Sequence, residues 1–133
     1  MGHGLSVAAA GAIEPNPRGE REYPWGDEFD AGKCNTWESS IGDTTPVGKC
    51  SPVGDSPYGV ADMAGNVWEW CLNEYSSGKT DLGGSTIRVL RGGSWNDNLL
   101  YFAAAPFRYI YHPDFCDFNL GFRVVVVGWR PNA

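Results

Sequence analysis

No stretch of this sequence gathers lysine and arginine. Ten basic residues are scattered among sixteen acidic ones, for a formal net charge of −6. Neutralising nucleic-acid phosphates takes a basic patch, so nucleic acid is excluded as a partner, and an anionic membrane surface with it. No run is long and apolar enough to span a bilayer. The opening MGHGLSVAAAGAIEP has small residues at AxA-like spacing. It lacks the positive n-region and strong apolar core of a signal peptide, so the compartment stays open. Cysteine is sparse: Cys34, Cys50, Cys71 and Cys116 form no CxxC pair, and His3 and His112 lie far apart. That pattern does not make a zinc site. Four thiols permit two disulfides, or four free groups. No segment carries the period of a long amphipathic helix, and no internal repeat is visible.

What the chain has in quantity is glycine, proline and tryptophan, 18, nine and six residues of its 133. The length is that of one domain. Gly and Pro break helices and punctuate turns, so irregular loops joining short strands are expected. Residues 1–20 read as a lead-in with a short helix remnant around Val7–Ala12, and residues 21–130 as the domain. Tyr23-Pro24-Trp25-Gly26-Asp27 is a turn with aromatic anchors. Phe29 to Pro57 has no period and reads as a long ordered loop that a metal, a disulfide or packed aromatics must pin. Gly65-Asn66-Val67-Trp68-Glu69-Trp70 reads as a turn entering a strand, with Trp68 and Trp70 on one face. Ile87–Arg91 alternates like a half-buried strand, and Val124–Val127 reads as a central one.

Four pieces in order carry a resemblance: YPWGDEFD (23–30), CNTWESSIGDTTPVG (34–48), SPYGVADMAGNVWEW (56–70) and RGGSW…NLGFRVV (91–125). Together they resemble the sulfatase-modifying-factor family, whose founding activity is the formylglycine-generating enzyme. The likeness implies a loop-rich α+β, C-type-lectin-like fold: a small, twisted, mostly antiparallel sheet with long ordered loops. The enzymes of that family place two reactive cysteines, with copper, after the GGS turn. The first would fall close to Asp97 and the second at Leu100 to Phe102. Neither place holds Cys, and Cys116 stands alone in the segment. A soft two-thiolate copper site needs both, so no copper and no catalysis are expected. Ser94 lacks the flanking pattern of a nucleophile elbow. Asp27, Glu28 and Asp30 aim at no nucleophile and read as surface charge.

A second group sharing these motifs fits the chain better: the variable proteins of diversity-generating retroelements, whose lectin-like domains vary between GGSW and GFR. There, template adenines are randomised on copying, so an Asn codon yields residues other than Lys, Glu, Gln, Met and Trp. Residues 96–119 contain none of those five. By the chain's own composition that absence has a chance of roughly a few per cent. The same segment holds seven of the chain's twelve Phe and Tyr. Exposed rings offer large contact area for few rotatable bonds. The resemblance therefore implies a binding surface built from Asp97, Leu100, Tyr101, Phe102, Phe107, Tyr109, Tyr111, His112, Phe115, Asp117 and Phe118, with Arg108 adding polar specificity. The alternative for each ring is the core. Gly92, Gly93 and Gly121 would free the backbone at the flanks, over a base of Trp68, Trp70, Trp95 and Phe122.

The family also binds two structural calcium ions. Matching positions here are Asn35 and Asp43 with carbonyls at Thr36 and Thr45, and Asp62 and Glu69 with carbonyls at Gly65 and Val67. All are oxygen donors, which suits Ca²⁺. A plain hydrogen-bonded turn network would use the same residues. The function expected from the resemblance is non-catalytic recognition of a macromolecule, most simply a protein. A copper-dependent oxidoreductase or its inactive relative is the alternative, and a sugar-binding lectin a third.

Overall fold

A computed structural model describes residues 21–126. The lead-in 1–20, its helix remnant, His3 and Val127 lie outside the described residues. Four short strands form one sheet: β1 Trp68–Glu74, β2 Arg88–Arg91, β3 Tyr109–Tyr111 and β4 Leu120–Gly121. Their spatial order is β3-β2-β1-β4, with β2 antiparallel to both neighbours and β4 parallel to β1. Helix among the described residues is confined to two 3-10 turns, Trp37–Ser39 and Leu100–Ala103. The frequent Gly and Pro account for this balance, because they interrupt any longer repeat of backbone geometry.

β2 lies between two partners, and its burial follows from that position. Arg88, Val89 and Leu90 are buried in succession rather than alternately. Arg88 sits there without loss because its guanidinium donates to the carbonyls of Leu72 at 2.7 Å, Gly84 at 3.2 Å and Asp81. In β1 the pairing is regular from Trp68 to Trp70, but the two rings are unequally covered. Trp68 and Cys71 are buried, Trp70 only half so, and the register slips between Trp70 and Glu74.

The expected central strand at Val124–Val127 is corrected by the structure. Val124, Val125 and Val126 belong to no strand and are exposed. β-Branched residues suit a strand but do not supply its partner, and the described pairing with β1 ends at Gly121.

The long loop is pinned by its backbone and by two asparagines. Asn35 pairs with Gly65 in an isolated bridge, and the Asn66 amide donates to the Asn35 carbonyl at 2.7 Å. Asn66 Oδ1 in turn accepts from the Thr45 amide at 2.8 Å. Beneath this crossing lies a small core of Tyr23, Cys34, Ala64, Ala103 and Ala104, with Trp25 and Phe29 against it. Tyr23 stacks on Trp25 at 5.5 Å.

Gly65 is required where it stands. Its φ is +79°, and a Cβ there would lie 2.4 Å from the Asn35 carbonyl oxygen. Gly65→Ala combines a left-handed backbone with overpacking, so a loss of about 3 kcal/mol is expected. A urea melt checks this; an unchanged midpoint contradicts the close approach.

Candidate functional site

The aromatic segment leaves the sheet after β2 and comes back at β4, and both ends are tied at one place. Gly92 and Gly93 turn the chain with φ of +97° and +72°. A Cβ on Gly93 would press on Phe102 and Ala103 backbone atoms at 3.1 Å. Ser94 is wholly buried. Its hydroxyl lies 2.6 Å from Asp97 Oδ2 and 2.8 Å from Asn96 Oδ1, and accepts from Asn119 Nδ2 at 3.2 Å. Asn119 Nδ2 also donates to Asn96 Oδ1 at 3.0 Å, and the Asn119 carbonyl receives the Trp68 amide at 2.8 Å. Twenty-odd residues thus start and finish against one buried serine.

Two expectations about this frame need correction. Gly121 is not left-handed. Its role is close packing, since a Cβ there would meet Val67 Cγ2 at 2.9 Å. Phe122 is no part of a packed base: it is 74% exposed. Trp95 is half-buried against Phe118, ring centroids 5.7 Å apart, and its indole N–H is buried without an acceptor.

Between the tied ends the rings divide into two sets. Phe102, Phe107, Tyr109 and Tyr111 are half-buried and form a continuous chain over Trp68. Trp68 stacks on Tyr109 at 5.3 Å and meets Phe102 edge-on at 5.7 Å. Tyr109 and Tyr111 share a face of β3, as alternation requires, with centroids 5.4 Å apart. The second set stands further out. Leu100 and Tyr101 are exposed on the 3-10 turn, Phe118 is 64% exposed, and Phe115 stacks on Tyr111 at 4.2 Å while remaining exposed. Neither the all-exposed nor the all-core reading describes this segment.

A cavity of about 100 Å³ opens in the ring cluster. Trp68, Phe102, Tyr109 and Tyr111 line it together with the carboxylates of Asp97 and Asp117. Burial pushes the Tyr111 phenol up, and Tyr109, Asp117 and Asp97 push the same way. Asp97, expected to contact ligand, spends Oδ2 on the Ser94 amide at 2.7 Å as well as its hydroxyl. Asp117 Oδ1 caps the Phe118 amide at 2.8 Å. His112 is exposed, with Nδ1 3.3 Å from Asp114 Oδ2. Arg108 points the other way, donating to the Tyr75 carbonyl at 3.0 Å with its guanidinium over the Tyr75 ring.

The two oxygen-donor sets differ. Asn35 is buried, and its Nδ2 donates to the Asp43 carbonyl at 2.9 Å and approaches Thr45 Oγ1 at 3.5 Å. The Thr36 carbonyl accepts from Ser39 Oγ at 2.7 Å, and Asp43 Oδ1 accepts from the Thr44 amide at 2.7 Å. Asn35 thus meets Asp43 and Thr45 through an N–H donor, the contacts of a hydrogen-bonded turn, while the oxygens of Thr36 and Asp43 serve Ser39 and Thr44. The second set converges on a guanidinium. Arg123 forks onto both oxygens of Glu69 and donates to the carbonyls of Ala61 at 2.9 Å and Asp62 at 2.8 Å. The Asp62 carboxylate accepts from the Gly48 amide at 2.7 Å. Gly65 and Val67 sit on the same turn, where the Gly65 amide donates to the Gly92 carbonyl at 2.7 Å. A positive charge already serves Glu69, so a divalent ion does not fit beside it. Burial pushes the Glu69 carboxyl up, against the pull of Arg123.

Sequence reasoning missed the Ser94–Asn96–Asn119 tie and the Arg123 fork. The motifs SPYGVADMAGNVWEW and GGSW…NLGFR contain all the residues concerned except Asn96, but only the fold shows that they meet. All four cysteines are free thiols: Cys34 and Cys71 buried, Cys116 exposed.

Short strands, long pinned loops and a glycine-framed segment define the C-type-lectin-like fold. The sequence matches the sulfatase-modifying factor enzyme 1-like domain over residues 4–127, and the chain belongs to that family. It is 36% identical over 121 residues to the inactive C-alpha-formylglycine-generating enzyme 2 of Bos taurus, covering 82% of this chain and 38% of that protein. It is 35% identical over 127 residues to the formylglycine-generating enzyme of Streptomyces coelicolor, covering 77% and 40%. It superposes on Treponema denticola variable protein 1 with a TM-score of 0.57 at 31% identity, over 68% of this chain and 34% of that one. The chain spans less than half the length of each. No described helix is long and apolar enough to cross a membrane.

Two outcomes follow from the site's chemistry. Arg123→Met strands a largely buried carboxylate, so a loss of about 3 kcal/mol is expected in a denaturant melt; a neutral result would show the fork to be idle. Burial pushes the Cys34 thiol up to about 12. In a thiol-reagent time course at mildly alkaline pH, Cys116 should react at once and Cys34 only on unfolding. Fast loss of Cys34 would contradict its burial.

Proposed function

We propose that this chain is a non-catalytic variable protein of a diversity-generating retroelement, recognising a protein target through residues 96–119. The observation that carries the reading is the tied segment: its ends are held by Ser94 and Asn119, while Leu100, Tyr101, Phe115 and Phe118 project from it. A frame that folds through its own hydrogen bonds lets the projecting side chains change without unfolding the molecule. The permitted amino-acid alphabet of the segment supports this, as does likeness to a protein called variable protein 1 and to an inactive member of the enzyme family. The cavity is also smaller than the ~300–1,000 Å³ typical of small-molecule sites, which favours a macromolecule over a free substrate or sugar.

The oxidoreductase reading rests on relatives that are enzymes. The positions that would carry its cysteines hold Asp97, already engaged by Ser94, and Leu100 to Phe102. Turnover of a Cys-x-Pro-x-Arg peptide with copper would overturn the binding reading. Calcium at Asn35, Thr36, Asp43 and Thr45 belongs to the same proposal, as a clamp on the long loop. Millimolar calcium should raise the melting temperature of the wild type and not of Asp43→Ala. Equal shifts in both would remove the ion from this place.

The main test combines a genome and a melt. The codons for 96–119 should recur nearby as an adenine-rich near-copy beside a reverse-transcriptase gene. Tyr101→Ser, Phe115→Ser and Phe118→Ser together should cost no more than about 1.5 kcal/mol. A unique segment, or a collapse of stability in the triple variant, would sink the proposal.

A further inference from the structure

We propose that the cavity over Trp68 receives a cationic side-chain tip, a guanidinium or ammonium group, projecting from the bound protein. This rests on the reading of residues 96–119 as the binding surface and adds the chemistry of its central contact. Four aromatic residues, Trp68, Phe102, Tyr109 and Tyr111, line the space with Leu120 and Asn119, and Asp97 and Asp117 are its two acidic residues. Ring faces carry negative electrostatic potential and attract a cation within about 6 Å of the centroid. Carboxylates at the same opening strengthen that field.

Size agrees with this occupant. About 100 Å³ is room for roughly three water molecules. It accommodates the end of one long side chain and is short of a whole small ligand. Charge agrees too. None of the residues lining the cavity is basic. Arg108, just before β3, is turned to Tyr75 instead, its guanidinium 4.7 Å from that ring centroid. The protein thus already holds one guanidinium over a ring elsewhere on its surface. The chain's net charge of −6 draws a basic partner to the whole molecule. Backbone and hydroxyl donors already reach one oxygen of each carboxylate but leave its negative charge in place, and only a cation neutralises that charge.

The test uses the full chain and two small probes of the same shape, N-acetyl-arginine amide and N-acetyl-citrulline amide. Tyrosine ring signals are followed by NMR, with Tyr109 and Tyr111 assigned through Tyr109→Phe and Tyr111→Phe. The arginine probe should shift both rings saturably, with a Kd of about millimolar, and the citrulline probe at least about tenfold more weakly. Asp117→Asn keeps a side-chain oxygen for the Phe118 amide. It should weaken arginine binding about threefold or more while leaving the melting temperature in place. Equal binding of the two probes, no saturable shift with either, or indifference to Asp117→Asn would overturn the proposal. The two readings fail separately. An adenine-rich template with no preference for arginine leaves the retroelement reading standing and removes the cation site. Arginine selectivity without any template does the reverse.

Discussion

A single buried hydroxyl holds the candidate site together. Ser94 has no exposed surface, and its oxygen is shared among Asn96, Asp97 and Asn119. Burying that many polar groups is tolerable only because each finds a partner. The loop-closure cost of a segment of this length is met at one point, and it grows only slowly with length. Of the residues in between, Ala103, Ala104 and β3 still serve core and sheet, and the exposed Leu100, Tyr101, Phe115 and Phe118 are relieved of most of that work. The Asn119 carbonyl then receives the Trp68 amide, which connects the closed loop to β1 and to the aromatic floor.

Closure also sorts the segment by role. Asn96, Asp97 and Asn119 belong to the frame. Phe102, Phe107 and Tyr109 lean on Trp68 and give the surface a stiff base. Tyr101 rests on Phe102 and Phe107, Phe115 on Tyr111 and Phe118 on Trp95, each with its outer part exposed. Rings fixed at one edge and free at the other lose little entropy on contact, which is the property a recognition surface needs.

A second constraint lies on the far side of β1. Arg123 draws Glu69 and the carbonyls of Ala61 and Asp62 to one guanidinium. It fastens the chain just after β4 to the turn that enters β1. The Gly65 amide on that turn bonds the Gly92 carbonyl, so the Asn35–Gly65 crossing, the glycine turn and the Arg123 fork form one connected frame. Arginine suits the task because its planar fork reaches several acceptors at once and keeps its charge when buried.

Motif order and glycine placement were enough to anticipate the fold class, the strands at Trp68 and Arg88, the turn at Gly92-Gly93 and the place of the aromatic segment. Those features depend on local backbone permission and on side-chain type, which are written residue by residue. The tertiary structure alone decided three other matters: which rings lie on Trp68 and which reach solvent, that Asp97 serves Ser94, and that Glu69 answers Arg123. It also left Val124–Val126 exposed outside the sheet despite their strand propensity. Burial and pairing are properties of residues distant in the chain, so composition at one position cannot set them.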